Sequence, residues 1–182
     1  MGLDMTLYKK TYIWNEDRKN IKITTKGEAS ASLKRTIRDI DLKNVMYITE
    51  EAGYWRKANQ IHQWFVDNVQ NGEDDCGTYY VSTEKLKELR RLCREVLRSC
   101  KLVDSGETRK VYDLDKGEEV EEKVMKIKDT SVAEELLPTQ EGFFFGGTGY
   151  DEYYIQNLED TIVIIDNALE SPAAEFEYHS SW

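Results

Sequence analysis

The sequence predicts an α+β fold: a small antiparallel or mixed sheet packed against about three main amphipathic helices, in a single domain over residues 1–182. Three observations predict it. Period-two alternation lies near both ends of the chain, helical periodicity fills the middle, and the two do not follow the regular strand–helix–strand order of a parallel winding. A chain of 182 residues is also long enough to bury roughly 70% of its unfolded surface in one core.

Leu3, Met5 and Leu7 alternate with Asp4, Thr6 and Tyr8, and an extended run over 21–25 follows a polar turn, which predicts an antiparallel pair. Leu33, Ile37 and Ile40 predict a helix over 30–40, followed by a short apolar strand over 45–49. From Gly53 a helix with two stripes is expected. One carries Tyr54, Ala58, Ile61, Phe65 and Val69; the other, about a quarter turn away, carries Trp55, Asn59, His62 and Val66. It should stop near Asn71 and Gly72, where glycine takes the left-handed conformation. Beyond Thr78, Tyr79, Tyr80 and Val81, Ser82 is placed to cap a long helix with Leu86, Leu89, Leu92, Cys93, Val96, Leu97 and Cys100 on its apolar stripe. Its opposite side, Lys85, Arg90, Arg91 and Arg94, reads as a solvated face or a phosphate-facing one.

Residues 104–128 are highly charged, with Val120, Val124 and Ile127 hinting at a helix, and are expected to form an exposed excursion. Ser131 and Glu134 make a capping-box pattern for a short helix ending before Pro138. Residues 142–146 read as a compact strand. Tyr154, Leu158, Ile162, Ile165 and Leu169 predict a third main helix over 150–169, and Glu175, Phe176, Glu177 and Tyr178 alternate like an edge strand.

A formal net charge of -10 and a pI near 4.8 argue against broad adhesion to nucleic-acid backbones or anionic membranes, which need clustered Lys and Arg. Acidity leaves plain solubility, or a surface complementary to a basic protein partner. Cys76, Cys93 and Cys100 are odd in number and contain no C-x-x-C pair, so neither a zinc ribbon nor a disulfide framework is expected, and an intracellular, reduced protein fits best. The carboxylates flanking Cys76 oppose thiolate formation. The first residues hold no basic region with a long apolar segment, so no export signal is expected.

Binding chemistry is better represented than catalytic chemistry. The stripe of Trp55, Asn59 and His62 joins an aromatic plane, an amide and an imidazole, a set suited to a flat polar ligand, with Arg56 and Lys57 beside it to neutralise phosphate or carboxylate. Tyr150, Tyr153 and Asn157 share an edge of the last helix and, with Phe143, Phe144, Phe145, Tyr79 and Tyr80, supply either base-stacking surface or an aromatic-rich core. Gly146, Gly147, Thr148 and Gly149 precede a helix N-terminus, where backbone N–H groups bind anions. They lack both the P-loop and the dinucleotide spacing, and the following Asp151 and Glu152 satisfy the helix dipole while repelling phosphate, so a simple turn competes with a ligand loop. Two histidines exclude a three-histidine metal site, and no H-E-x-x-H or nucleophile elbow is present around His179, Ser180 and Ser181. His62 with Asp75 as general base competes with a structural histidine. No cofactor, metal ligand or catalytic residue is assigned.

Several of these motifs resemble a family of small accessory proteins from tailed bacteriophages: Gly53, Tyr54, Trp55, Arg56, Lys57, Ala58, Asn59; Asp74, Asp75, Cys76, Gly77; Leu137, Pro138, Thr139; Gly142 through the three phenylalanines to Gly146; Tyr150, Asp151, Glu152, Tyr153, Tyr154; and Ser180, Ser181, Trp182. The resemblance spans nearly the whole chain. Thr6 departs from it where an aromatic is expected after Met5, and the 104–128 segment is a variable one, so neither defines the shared function. Members carry an automatic phosphoglycerate kinase label, but this chain is far shorter than that two-domain enzyme and has none of its nucleotide-binding features. The resemblance implies a phage protein acting in the cytoplasm of the infected host, where such proteins counter defence. Some resemble sponges that sequester nucleotide signals without cleaving them, and others block a defence protein directly.

The reading that follows is a sponge for an ADP-ribose-type or cyclic nucleotide signal. Its ligand set is Trp55, Arg56, Lys57, Asn59, His62, Tyr79, Phe144, Tyr150 and Tyr153, with the base on Trp55 or the Tyr150/Tyr153 edge, a pocket that a homo-oligomer would help to close. The first alternative is an acidic inhibitor acting through Asp74, Asp75 or residues 115–122, and the second an enzyme that degrades the signal using His62.

Overall fold

A computed structural model describes residues 2–19, 22, 31–113, 117–170 and 174–182. It holds an antiparallel four-stranded sheet, a separate two-stranded hairpin and three substantial helices, the α+β class read from the sequence.

Strand β1 (Asp4–Tyr12) buries Met5 and Leu7 on one face, as the alternation demands. Its neighbours are β2 (Tyr47–Arg56) and β6 (Glu175–Ser181). The pairing expected with 21–25 falls outside the described residues. Short helices α1 (Asn15–Arg18) and α2 (Ala31–Arg38) precede β2. Sheet order is β2-β1-β6-β3, where β3 is Thr78–Val81. The alternating tail is therefore an interior strand and not an edge. Phe176, Tyr178 and Ser180 are buried, because β6 pairs on both sides and its inner face meets the helices.

The largest correction concerns the segment from Gly53. Residues through Arg56 belong to β2, and helix α3 (Asn59–Asn68) begins only after Lys57, whose φ of 59° turns the chain. Tyr54, Trp55 and Arg56 follow a strand's alternation: Trp55 is inside, with Tyr54 and Arg56 outside. Helix propensity is overridden here by pairing with β1, which runs from Asp4↔Arg56 to Tyr12↔Tyr47. On α3 both stripes are covered, since seven of its ten residues are buried. Phe65 stacks on Tyr178 at 3.9 Å between ring centroids and fastens the helix to the sheet.

Ser82 caps α4 (Thr83–Ser99) by accepting from Lys85 N at 3.2 Å, and Leu86, Leu89, Cys93 and Val96 enter the core. Burial pushes the Cys93 thiol pKa up to about 12, which makes it a packing residue. The 104–128 excursion is a hairpin of β4 (Leu102–Asp113) and β5 (Glu118–Ile127), not a helix. Its valines and alternating charges instead build cross-strand pairs: Lys123–Asp104 at 2.6 Å, Lys126–Glu107 at 2.9 Å and Arg109–Glu122 at 3.2 Å.

Helix α5 (Ser131–Leu136) starts after Thr130, which makes no side-chain cap hydrogen bond and donates its hydroxyl to Glu134 at 2.6 Å, so the helix begins without the expected capping box of Ser131 and Glu134. Residues 142–146 form a turn rather than a strand, with Phe144 at φ 65° and Gly146 at φ 96°. Asp151 then caps α6 (Glu152–Ala168), which buries Tyr154, Leu158, Thr161, Ile165 and Ala168. Helix α6 lies close to β2: a Cβ on Gly53 would fall 2.1 Å from Ile164 Cγ2, so only glycine permits this approach.

Candidate functional site

A cavity of about 440 Å³ opens where the β2–α3 turn, the glycine loop and the start of α6 meet. That volume lies in the range of roughly 300–1,000 Å³ typical of small-molecule sites. Arg56 and Lys57 supply one wall, Gly146, Gly147 and Gly149 a second, and Asp151, Tyr153, Tyr154 and Asn157 the third, with Gln60 and Thr139 between them.

The walls are held by polar contacts from buried groups. Trp55 Nε1 donates to Thr161 Oγ1 at 2.9 Å, and Thr161 donates to Asn157 O at 2.6 Å, so the indole braces the α6 turn that carries Asn157. Asn59 donates to Phe145 O at 3.3 Å and Gly147 O at 2.9 Å and accepts from Gln140 N at 3.0 Å, which ties the glycine loop to α3. Lys57 N donates to Leu3 O at 2.8 Å and Leu3 N to Phe144 O at 3.3 Å, joining the cationic turn to the same loop. A Cβ on Gly146 would lie 2.9 Å from Lys57 Cβ, so close approach as well as positive φ requires glycine there.

On the third wall, the Arg109 guanidinium lies over the Tyr153 ring at 4.6 Å and pairs with Glu152 at 2.7 Å, so the hairpin fixes the position of the aromatic plane. Tyr154 donates to Leu137 O at 2.9 Å, and burial raises its pKa, which keeps the phenol neutral.

Three of the sequence-selected residues, Arg56, Lys57 and Tyr153, come together in this cavity. Trp55 (3% exposed), Asn59 (1%) and His62 (0%) are closed to solvent and serve the fold. His62 Nδ1 is 2.8 Å from Tyr178 OH and Nε2 is 3.1 Å from Asp74 Oδ2. Both ring nitrogens of His62 therefore have a partner, the Tyr178 phenol on one side and the Asp74 carboxylate on the other. Its partner is Asp74 rather than Asp75, because Asp75 already accepts from Gly77 N and Tyr79 OH. Tyr79 is thereby occupied at β3. Tyr150 OH accepts from Thr139 N at 3.3 Å and its ring packs on Tyr154, while Phe144 is exposed against Phe143.

Sequence reasoning missed Gln60 and Thr139 and took Asp151 only as a dipole partner. Gln60 is 2% exposed, and its Nε2 has no hydrogen-bond partner among the described residues. The signal was available: a glutamine stands between Asn59 and Ile61, four residues after Arg56. Arg56 and Lys57 likewise form no ion pair with any described carboxylate, although Arg56 interacts with Tyr54, whose hydroxyl bonds to Asp4.

No protein-family model, curated protein or solved structure matches this chain. Among the described residues no helix is long and apolar enough to cross a membrane.

Proposed function

We propose that the protein binds and sequesters a nucleotide-like small molecule in this cavity without transforming it. The setting is the one that the resemblance to phage accessory proteins implies, an anti-defence sponge in the cytoplasm of the infected host. The observation that carries the reading is the convergence, in one cavity, of two cations that form no ion pair with a described carboxylate and a buried amide nitrogen that has no hydrogen-bond partner among the described residues. Arg56 and Lys57 take the phosphates, Gln60 donates to a ligand acceptor, and Tyr153 offers a stacking plane backed by Arg109.

Binding is favoured over turnover because His62, the candidate general base, is enclosed by Phe145 and Tyr178 and does not line the cavity. The acidic-inhibitor alternative keeps residues 115–122, of which 115 and 116 lie outside the described residues, as its test, because Asp74 and Asp75 are engaged within the fold. Asp74 holds His62 and Trp182, and Asp75 holds its own loop, so charge reversal there perturbs folding.

The test is to incubate purified protein with extract from cells in which nucleotide-based defence has been triggered, wash it, denature it by heat and identify released molecules by mass spectrometry. Intact nucleotide released by wild type and not by Arg56→Ala supports sequestration in the cavity. A processed product in the wash replaces the reading with an enzyme, and nothing bound or altered replaces it with a protein-binding inhibitor.

A further inference from the structure

Asp151 does two things at once. Its Oδ1 accepts from both Tyr153 N (3.0 Å) and Tyr154 N (3.1 Å), which completes the N-terminal cap of α6. Its Oδ2 accepts from no described group, although Asp151 shares the cavity with Arg56 and Lys57 and forms an ion pair with neither. Space next to Oδ2 is kept open by Gly149, where a Cβ would stand 3.3 Å from that oxygen. An ionised carboxylate is acceptor-only, so a ligand group facing Oδ2 must be a donor; a phosphate there would be repelled. The ligand must therefore present negative charge towards the cations and hydroxyl or amine hydrogens towards Asp151 within one cavity of about 440 Å³. In a nucleotide the ribose hydroxyls lie only a few bonds from the phosphate ester, whereas the exocyclic amine is at the far end of the base. Compactness favours the ribose. Gln60, 2% exposed, lines the same cavity, and its Nε2 has no hydrogen-bond partner among the described residues.

We infer that Asp151 reads an unesterified ribose diol, so that the cavity selects nucleotides of the ADP-ribose type, with free vicinal hydroxyls, over cyclic dinucleotides whose 3′ oxygens are esterified. This rests on the cavity being a nucleotide site. Carboxylate capture of a ribose hydroxyl is chemically ordinary in dinucleotide sites of unrelated fold; here the acid belongs to a helix cap with one oxygen to spare.

Titration calorimetry with ADP-ribose, ADP, 2′,3′-dideoxy-ADP and 3′,5′-cyclic di-AMP tests it. Wild type is expected to bind ADP at least about tenfold tighter than the dideoxy analogue, as loss of a hydrogen bond to a charged group implies, and ADP-ribose tighter than the cyclic dinucleotide. Asp151→Ser retains a capping oxygen and so the helix while removing the second oxygen, and should bind ADP and dideoxy-ADP equally. Gly149→Ala, which puts a methyl beside Oδ2, should do the same and serves if the first variant fails to fold. Equal binding of ADP and its dideoxy analogue by wild type, or discrimination that survives in both variants, overturns the diol assignment while leaving the cavity reading standing. Absence of binding by all four probes overturns both.

Discussion

Gln60 and His62 sit two residues apart on α3, both closed to solvent, and their polar atoms meet opposite fates. His62 is satisfied on both ring nitrogens, by Tyr178 and Asp74, and Trp182 donates to the other Asp74 oxygen at 3.0 Å. Gln60 keeps an amide nitrogen without a partner and lines the cavity. The same contrast divides the larger regions. Trp55, Asn59 and His62 spend their polar atoms on holding strand, helix and loop together; across the cavity, Arg56 and Lys57 form no ion pair with a described carboxylate, and Gln60 Nε2 has no partner among the described residues. A residue whose hydrogen bonds are spent internally stabilises the protein, and one whose bonds are unspent is available to a ligand.

Variants on the two sides should separate accordingly. Trp55→Ala has the largest expected effect, a loss of about 3–5 kcal/mol of unfolding free energy from the cavity left between β2 and α6, read by urea denaturation; a loss below about 1 kcal/mol would mean that the indole is not structural. Asn59→Ala, which strands Phe145 O, Gly147 O and Gln140 N, should cost about 1–3 kcal/mol and weaken nucleotide binding through displacement of the glycine loop. His62→Leu should cost a similar amount of stability yet leave ADP-ribose affinity, measured calorimetrically well below the melting transition, within about twofold; a large affinity loss would erase the contrast between the two sides. Arg56→Ala reverses the pattern: stability within about 0.5 kcal/mol of wild type, and binding weaker by roughly tenfold or more.

The smallest effect is on the hairpin, where exposed ion pairs contribute little. The hydrogen bond from Lys123 holds the Asp104 carboxyl below its usual range, and the same contact raises Lys123. A depressed acid stabilises above its unfolded pKa, about 3.9, and loses that contribution as pH falls through the folded value; a raised lysine stabilises below about 10.4 and loses it as pH rises through its folded value. Amide protection factors over 102–113 and 118–127, taken relative to the intrinsic exchange rate at each pH, should therefore be highest between those limits and fall outside both. Protection factors that do not change across those limits would show the pair to be inert.

The sequence by itself determined the elements whose reasons are local. Alternation in 3–8 and 175–178 specified strands, Ser82 specified a helix start through a side-chain oxygen that accepts an N-terminal N–H group, and the apolar stripes of α4 and α6 specified which faces go inside. Tertiary structure decided what local pattern leaves degenerate. Tyr54, Trp55 and Arg56 fit a helix or a strand equally until β1 pairs with them, and β6 reads as an edge or an interior strand until β3 arrives on its far side. The candidate site belongs to this second kind. Whether a polar side chain is spent or spare depends on donors and acceptors that lie 81 to 116 positions away along the chain, as between Asn59 and Gln140 or His62 and Tyr178, and no local pattern records which of them a folded neighbour will claim.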